Sequence, residues 1–140
     1  MKISKISETA IYCDDVEEML NFYQNLFAFP VIENSLPRAV FLQCGSNILA
    51  IFNRAMTAMP DQLPPAHGST GPQHFALEIS SDEEYDAWKA RFLEKGVPIE
   101  QEIEWASRDN GAKSFFFRDP ADNNVEIAMR KLWDAESVQY

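Results

Sequence analysis

Polar and apolar residues alternate along residues 5–13, and the alternation returns along residues 74–79. A period of two predicts strands whose successive side chains point to opposite faces. Setting Glu8-Thr9-Ala10-Ile11-Tyr12-Cys13 over His74-Phe75-Ala76-Leu77-Glu78-Ile79 gives a constant offset of 66 residues that continues without a gap. Glu17 and Glu18 fall on Glu83 and Glu84, Phe22 on Trp88, Leu26 on Phe92 and Val31 on Val97. A match of that length reads as an internal duplication.

After each opening strand the period lengthens to that of a helix. Met19, Leu20, Tyr23, Leu26 and Phe27 form an apolar stripe, with Asp14 or Asp15 as the N-cap and Pro30 as the stop. In the second copy Tyr85, Trp88 and Phe92 make the stripe, Ser81 with Glu84 forms a capping box, and Gly96 ends the helix. Three strand-like runs follow in each copy. They are residues 31–34, 39–44 and 48–53, turning at Gly45-Ser46, then 97–105, 113–118 and 124–130, turning at Asn110-Gly111 and Pro120-Ala121-Asp122-Asn123. The expected fold class is α+β, a single domain over residues 1–140 built from two tandem βαβββ modules at about 1–53 and 74–130. A connecting loop at about 54–73 and a tail at 131–140 complete it. The loop carries Pro60, Pro64, Pro65, Gly68, Gly71 and Pro72, and so long a connection in a small domain is a linker or a functional lid.

Parity assigns faces. Ile11, Cys13, Leu77 and Ile79 should meet the helices, as should Val125, Ile127 and Met129. Glu8, Ala10 and Tyr12 then point the other way, with His74, Ala76 and Glu78, and with Glu126 and Ala128. If the two sheets curl around one shared cavity with the helices outside, Glu8, His74 and Glu126 converge there. Aligning residues 47–51 with 123–127 puts Ala50 at the place of Glu126, so that corner offers no ligand.

Composition narrows the function classes. A formal net charge of −10 leaves no basic stripe and repels phosphate backbones and anionic lipids, so neither nucleic acid nor a membrane is an expected partner. The opening MKISKISETAIYC has no signal-peptide pattern and no apolar run reaches about 18 residues, so the expected location is cytoplasmic. Cys13 and Cys44 sit in apolar strand contexts and read as free core thiols. On residue chemistry alone, Glu8 and Glu126 read first as solvated strand carboxylates and His74 as a hydrogen-bonded structural histidine. Arg54 and His67, flanking the long loop, hold an anionic substrate group or simply meet water. Tyr12, Phe52, Phe116 and Trp105 line a pocket or fill the core.

Three stretches resemble a known family. ETAIYCDDVEEMLNFYQNLFAFPV is similar to the opening strand and helix of the glyoxalase/bleomycin-resistance/extradiol-dioxygenase superfamily, the vicinal oxygen chelate fold. GPQHFALEI resembles the start of its second module, and FFFRDPADNNVEIA its closing hairpin, in which an aromatic strand and a DP-x-x-N-type turn precede a ligand Glu. The resemblance implies a homodimer and a site for one divalent metal ion, Zn, Mn, Ni, Co or Fe, held by Glu8, His74 and Glu126. Glu126 or Glu8 then also serves as the catalytic proton acceptor, while Tyr12, Phe52, Arg54, His67 and Phe116 are substrate-binding candidates by residue type and position alone. Two positions depart from the family pattern: the first ligand is more often His, and metal-isomerising glyoxalases carry a carboxylate where this chain has Ala50.

The resemblance implies a metal-dependent lyase, isomerase or dioxygenase acting on a small oxygenated substrate. Bidentate oxygen coordination and Lewis-acid stabilisation of an enolate or oxyanion would be its mechanism. The two-His, one-carboxylate set of non-haem Fe(II) oxygenases is missing, which weighs against dioxygenase chemistry. The competing expectation is a metal-free protein that sequesters a small molecule or drug, as the bleomycin-resistance type does.

Overall fold

The computed structural model describes residues 1–133. Its first sheet comprises β1 (Glu8–Cys13), β2 (Val31–Ser35), β3 (Ala39–Cys44) and β4 (Asn47–Asn53), with α1 (Val16–Phe27) after β1 and a helical turn, α2 (Arg54–Thr57), after β4. The second repeats the series as β5 (His74–Ile79), α3 (Asp82–Lys95), β6 (Gln101–Glu104), β7 (Lys113–Arg118) and β8 (Asn124–Met129). Strand order is β1-β4-β3-β2 in one and β5-β8-β7-β6 in the other. In each sheet the first strand pairs in parallel with the last, and the remaining pairs are antiparallel. These are the two βαβββ modules of the expected α+β class. The chain folds as two compact units, Met1–Gln73 with Pro120–Asp122, and His74–Asp119 with the described residues from Asn123 onward.

Local chemistry sets the helix ends. Asp15 caps α1 by accepting from the Glu18 N–H at 3.0 Å. Ser81 caps α3 by accepting from the Glu84 N–H at 3.2 Å, while the Glu84 carboxylate reaches back to the Ser80 N–H at 2.7 Å. That backbone bond, with a second from the Ser80 hydroxyl, holds the Glu84 carboxyl below the usual carboxylate range. Gly96 ends α3 in the left-handed region at φ 69°. The sequence placed the end of α1 at Pro30, but the helix stops earlier because Ala28 takes the left-handed conformation at φ 57°, its N–H bonded to Gln24 O. An L-residue there costs roughly 1–2 kcal/mol, part of which returns as the unfolded-state entropy that glycine would lose. Ala28→Gly is therefore expected to raise stability by about 1 kcal/mol in urea titration. An unchanged or lower midpoint would refute the strain at Ala28.

Packing follows the predicted parity. In the first unit Ile11, Cys13, Val40, Leu42, Leu49 and Ile51 are buried on the face that α1 covers with Val16, Met19, Leu20, Tyr23 and Leu26. The opposite face holds a smaller cluster of Tyr12, Ala39, Ala50 and Phe52, with Ala10 and Phe41 against it. In the second unit Phe92 of α3 meets Phe115 and Phe117 of β7, ring centroids 5.0 and 4.7 Å apart, beside buried Val125 and Ile127. Edge-to-face aromatic contacts of this kind add to area burial.

Some segments differ from the sequence expectation. The strand expected over residues 97–105 is only Gln101–Glu104: the Val97 N–H bonds Phe92 O in the helix cap, and Pro98 has no N–H to give a ladder. The connecting loop is helical at its start, where the Asn53 side chain caps α2 by accepting from the Met56 N–H at 3.0 Å. The tail expected from 131 begins as a 3-10 turn, Arg130–Trp133, that buries Leu132, and its remaining residues lie outside the described ones. Neither cysteine forms a disulfide among the described residues; Cys13 is buried and Cys44 half-buried, with burial pushing the Cys44 thiol pKa up.

Candidate functional site

In the second unit, parallel pairing of β5 with β8 puts His74 beside Asn124 and Ala76 beside Glu126. Side chains two apart on one strand share a face, so Glu126 and Asn124 project on the side that carries His74. His74 Nε2 lies 3.5 Å from Glu126 Oε2. His74 Nδ1 lies 2.9 Å from the backbone O of Asn124 and 2.9 Å from its side-chain Oδ1. Glu126 is 7% exposed, and its Oε1 is buried with no hydrogen-bond partner among the described residues. Phe116 of β7, paired with Glu126 across the ladder, stacks on the His74 ring at 6.4 Å between centroids. Three of the residues named from sequence, His74, Glu126 and Phe116, thus come together.

The register also tests the alignment that gave Ala50. Ala10 pairs with Ala50 in the first sheet where Ala76 pairs with Glu126 in the second, so the two positions are equivalent by pairing. Ala50 is fully buried in the aromatic cluster and offers no donor. Glu8 is exposed at the first position of β1, on the face of Ala10 and Tyr12. Among the described residues, no group of three or more His, Cys, Asp or Glu side chains is gathered to hold a metal ion. The second unit supplies two donors, His74 and Glu126.

The first unit gathers the other named residues. The Tyr12 hydroxyl and His67 Nδ1 are 2.6 Å apart, and both rings pack on Phe52, with centroids 5.8 and 4.8 Å away. Burial, and then the charge of Glu8, push the Tyr12 phenol pKa above its ordinary value. Arg54 bonds Asp14 Oδ1 at 2.9 Å, Ser69 O at 3.1 Å and Tyr12 O at 3.3 Å, so it ties the connecting segment to the end of β1. Between Arg54, Ala58 and residues 66–70 opens a cavity of about 480 Å³, within the range of small-ligand pockets. Arg54 and His67 are both in its lining. Trp105 packs elsewhere, against Ala112, Ala128 and Leu132, with its indole N–H donated to Ser114 Oγ at 2.9 Å.

Sequence reasoning missed three contributors. Asn124 is two residues before Glu126, and its contact with His74 appears only once the parallel register is known. Ser69 meets Arg54 through its carbonyl. Gln73 accepts the Tyr12 N–H at 2.9 Å through its side chain. Neither of these last two has a local signal, because the partners are 15 and 61 residues apart.

A sequence model of the Glyoxalase/Bleomycin resistance protein/Dioxygenase superfamily matches residues 5–127. Among solved structures, lactoylglutathione lyase from Agrobacterium tumefaciens is 34% identical, with a TM-score of 0.89 over 96% of this chain and 99% of that one. A glyoxalase/bleomycin resistance protein/dioxygenase from Nocardioides is similar in fold, at 17% identity and a TM-score of 0.71 over 92% of this chain and 85% of that one. So is a protein of the same description from Alicyclobacillus acidocaldarius, at 17% identity and a TM-score of 0.67 over 96% of each chain. Among curated proteins none matches.

Proposed function

The chain belongs to the Glyoxalase/Bleomycin resistance protein/Dioxygenase superfamily, and from that premise we propose that it is a metal-dependent enzyme acting on a small oxygenated substrate. The observation that carries the reading is the His74–Glu126 pair. An imidazole nitrogen and a carboxylate oxygen face each other at 3.5 Å, and the second carboxylate oxygen is buried without a partner. An uncompensated buried carboxylate is costly unless a cation lies beside it. Two bonds of about 2.1 Å at ordinary coordination angles put their donor atoms about 3.0–3.4 Å apart. The pair therefore fits two positions around one divalent ion, and its chemistry suits Zn, Mn, Ni, Co or Fe(II).

In this reading His74 and Glu126 would hold the ion, Glu8, the counterpart of His74 in the first module, is the carboxylate that the family resemblance nominates as a third ligand, and Ala50 supplies none. A divalent ion held there would supply a Lewis acid for neighbouring substrate oxygens. Glu126 Oε1, buried with no hydrogen-bond partner among the described residues, would accept and return a proton, and Glu8 is the other carboxylate proposed for that role. Phe116, stacked on His74, limits water on that side of the ring. Arg54 and His67 hold an anionic part of the substrate in the 480 Å³ cavity, against the Tyr12–Phe52 cluster.

The test is metal titration of the chain purified without chelator, followed by an assay. Lactoylglutathione is the first substrate to try, because the lyase of that name is 34% identical. One equivalent of Zn²⁺, Mn²⁺, Ni²⁺, Co²⁺ or, without oxygen, Fe²⁺ should bind, raise the melting temperature and support turnover. If none of the five ions binds, the reading fails. A metal-free sequestering protein then takes its place, a function to which the donorless Ala50 and the net charge of −10 are both suited.

A further inference from the structure

The contact between His74 and Asn124 does more than satisfy a ring nitrogen. Two oxygens of one residue, the backbone O and the side-chain Oδ1, each stand 2.9 Å from Nδ1. A backbone carbonyl only accepts, so Nδ1 must carry the proton. The Asn124 amide must in turn present its oxygen, because its NH₂ would oppose the ring N–H. One N–H shared between two acceptors fixes the direction of the bond as well as its end point, and with it the rotation of the ring. In the neutral ring the other nitrogen, Nε2, keeps its lone pair, 3.5 Å from Glu126 Oε2. Which imidazole nitrogen keeps its lone pair is decided by the hydrogen bond the other one makes.

Asn124 is itself held. Its neighbour Asn123 is fully buried, donating its backbone N–H to Asp119 Oδ1 at 3.0 Å and its side-chain amide to Asp119 Oδ2 at 2.9 Å. This closes the turn into β8 and anchors the backbone from which Asn124 projects. Glu126 follows two residues on, on the same face. One strand thus delivers both a donor atom and the group that orients its partner.

We propose that Asn124 is a positioning residue: its side-chain oxygen, acting with its own carbonyl, holds His74 as the Nδ1–H tautomer with Nε2 turned toward Glu126 and ready for a divalent cation. The consequence for metal affinity rests on the metal-binding reading above, whereas the tautomer does not. Groups that orient metal-bound histidines in this way are worth about 10–100-fold in affinity.

The chain has 2 histidines, so ring ¹⁵N resonances can be assigned with a His67→Ala variant. In the metal-free full-length protein at pH 8, His74 should appear as the Nδ1–H tautomer. Asn124→Asp keeps an acceptor oxygen and should keep that tautomer. Asn124→Ala keeps the carbonyl but loses the second acceptor, which frees the ring to turn away from it, so a mixture of tautomers should appear and the Kd for Zn²⁺ alone should rise about 10–100-fold. Wild-type tautomer and wild-type Kd in Asn124→Ala would overturn the proposal and leave the backbone carbonyl as sufficient. A tautomer that depends on Asn124 in a chain that binds no Zn²⁺ would support the assignment of Asn124 and sink the metal-binding reading instead.

Discussion

Replacing His74 by alanine is expected to weaken divalent-metal binding by roughly 100-fold or more, since even groups that only orient a ligand are worth about 10–100-fold. The fold should survive. His74 lies on β5, which pairs with β8 alone, and its side chain is 53% exposed, so its packing loss is confined to one face of Phe116. The residues that bury β5 are its neighbours of opposite parity, above all Ile79. Substitutions at such exposed positions usually change stability by no more than about 0.5 kcal/mol. Metal-free His74→Ala should therefore melt within a degree or two of the metal-free wild type. Comparing the two without metal matters, because an ion that binds only the native chain raises the wild-type melting temperature and makes a site variant look like a folding variant. If His74→Ala unfolds the metal-free protein, the imidazole is a structural group tied to Asn124, and the metal reading loses its first donor.

That division between a packed face and a chemical face was legible in the sequence because strand parity is rigid. A side chain cannot cross a sheet, so the alternation in β1 and β5 settled which of Tyr12 and Ile11, or of His74 and Phe75, share a side. The offset of 66 residues carried the argument across the opening strands and helices, and the last strands correspond at an offset of 76, as the pairings Ala10 with Ala50 and Ala76 with Glu126 show. Contacts that depend on where a long segment returns were not legible. His67 reaches Tyr12 across 55 residues, and nothing local to either residue announces it. Nor was the end of α1 readable, because alanine at Ala28 gives no sign of a left-handed backbone, whereas Gly96 announces the end of α3. The shortened β6 could have been anticipated: Pro98 cannot donate to a ladder, and the residues before it belong to the helix stop.

The aromatic positions show the same limit. Tyr12, Phe52 and Phe116 were each open to two readings, pocket or core; Tyr12 and Phe52 join a buried cluster, and Phe116 lies outside it. Tyr12 and Phe52 are nearly buried, yet their rings meet His67 beside the cavity under Arg54. Phe116 is half-buried and lies on the imidazole. Residue type and parity placed these rings on the right face; only the path of the connecting segment decides what they touch.

Glu126→Gln should separate stability from metal binding by moving them in opposite directions. Glu126 is 7% exposed, and its Oε1 is buried without a partner, so the metal-free chain holds a carboxylate whose charge is poorly compensated. The amide keeps the shape and removes the charge. Metal-free Glu126→Gln is therefore expected to be more stable than wild type by about 1 kcal/mol, because the amide carries no charge and can donate an N–H toward His74 Nε2, with a melting temperature several degrees higher. Adding Zn²⁺ should reverse the order. The wild type gains about 2.7 kcal/mol at an ion concentration 100 times Kd, while the variant, with a neutral and weaker donor, gains little. Turnover should fall further in the variant than binding does, because the amide cannot accept the proton assigned to Oε1. A melting temperature that drops in Glu126→Gln without metal would mean that the carboxylate is already anchored in the folded chain. Its free oxygen would then be part of the packing, and the stability given up at this position could no longer be read as the preparation of a cation site.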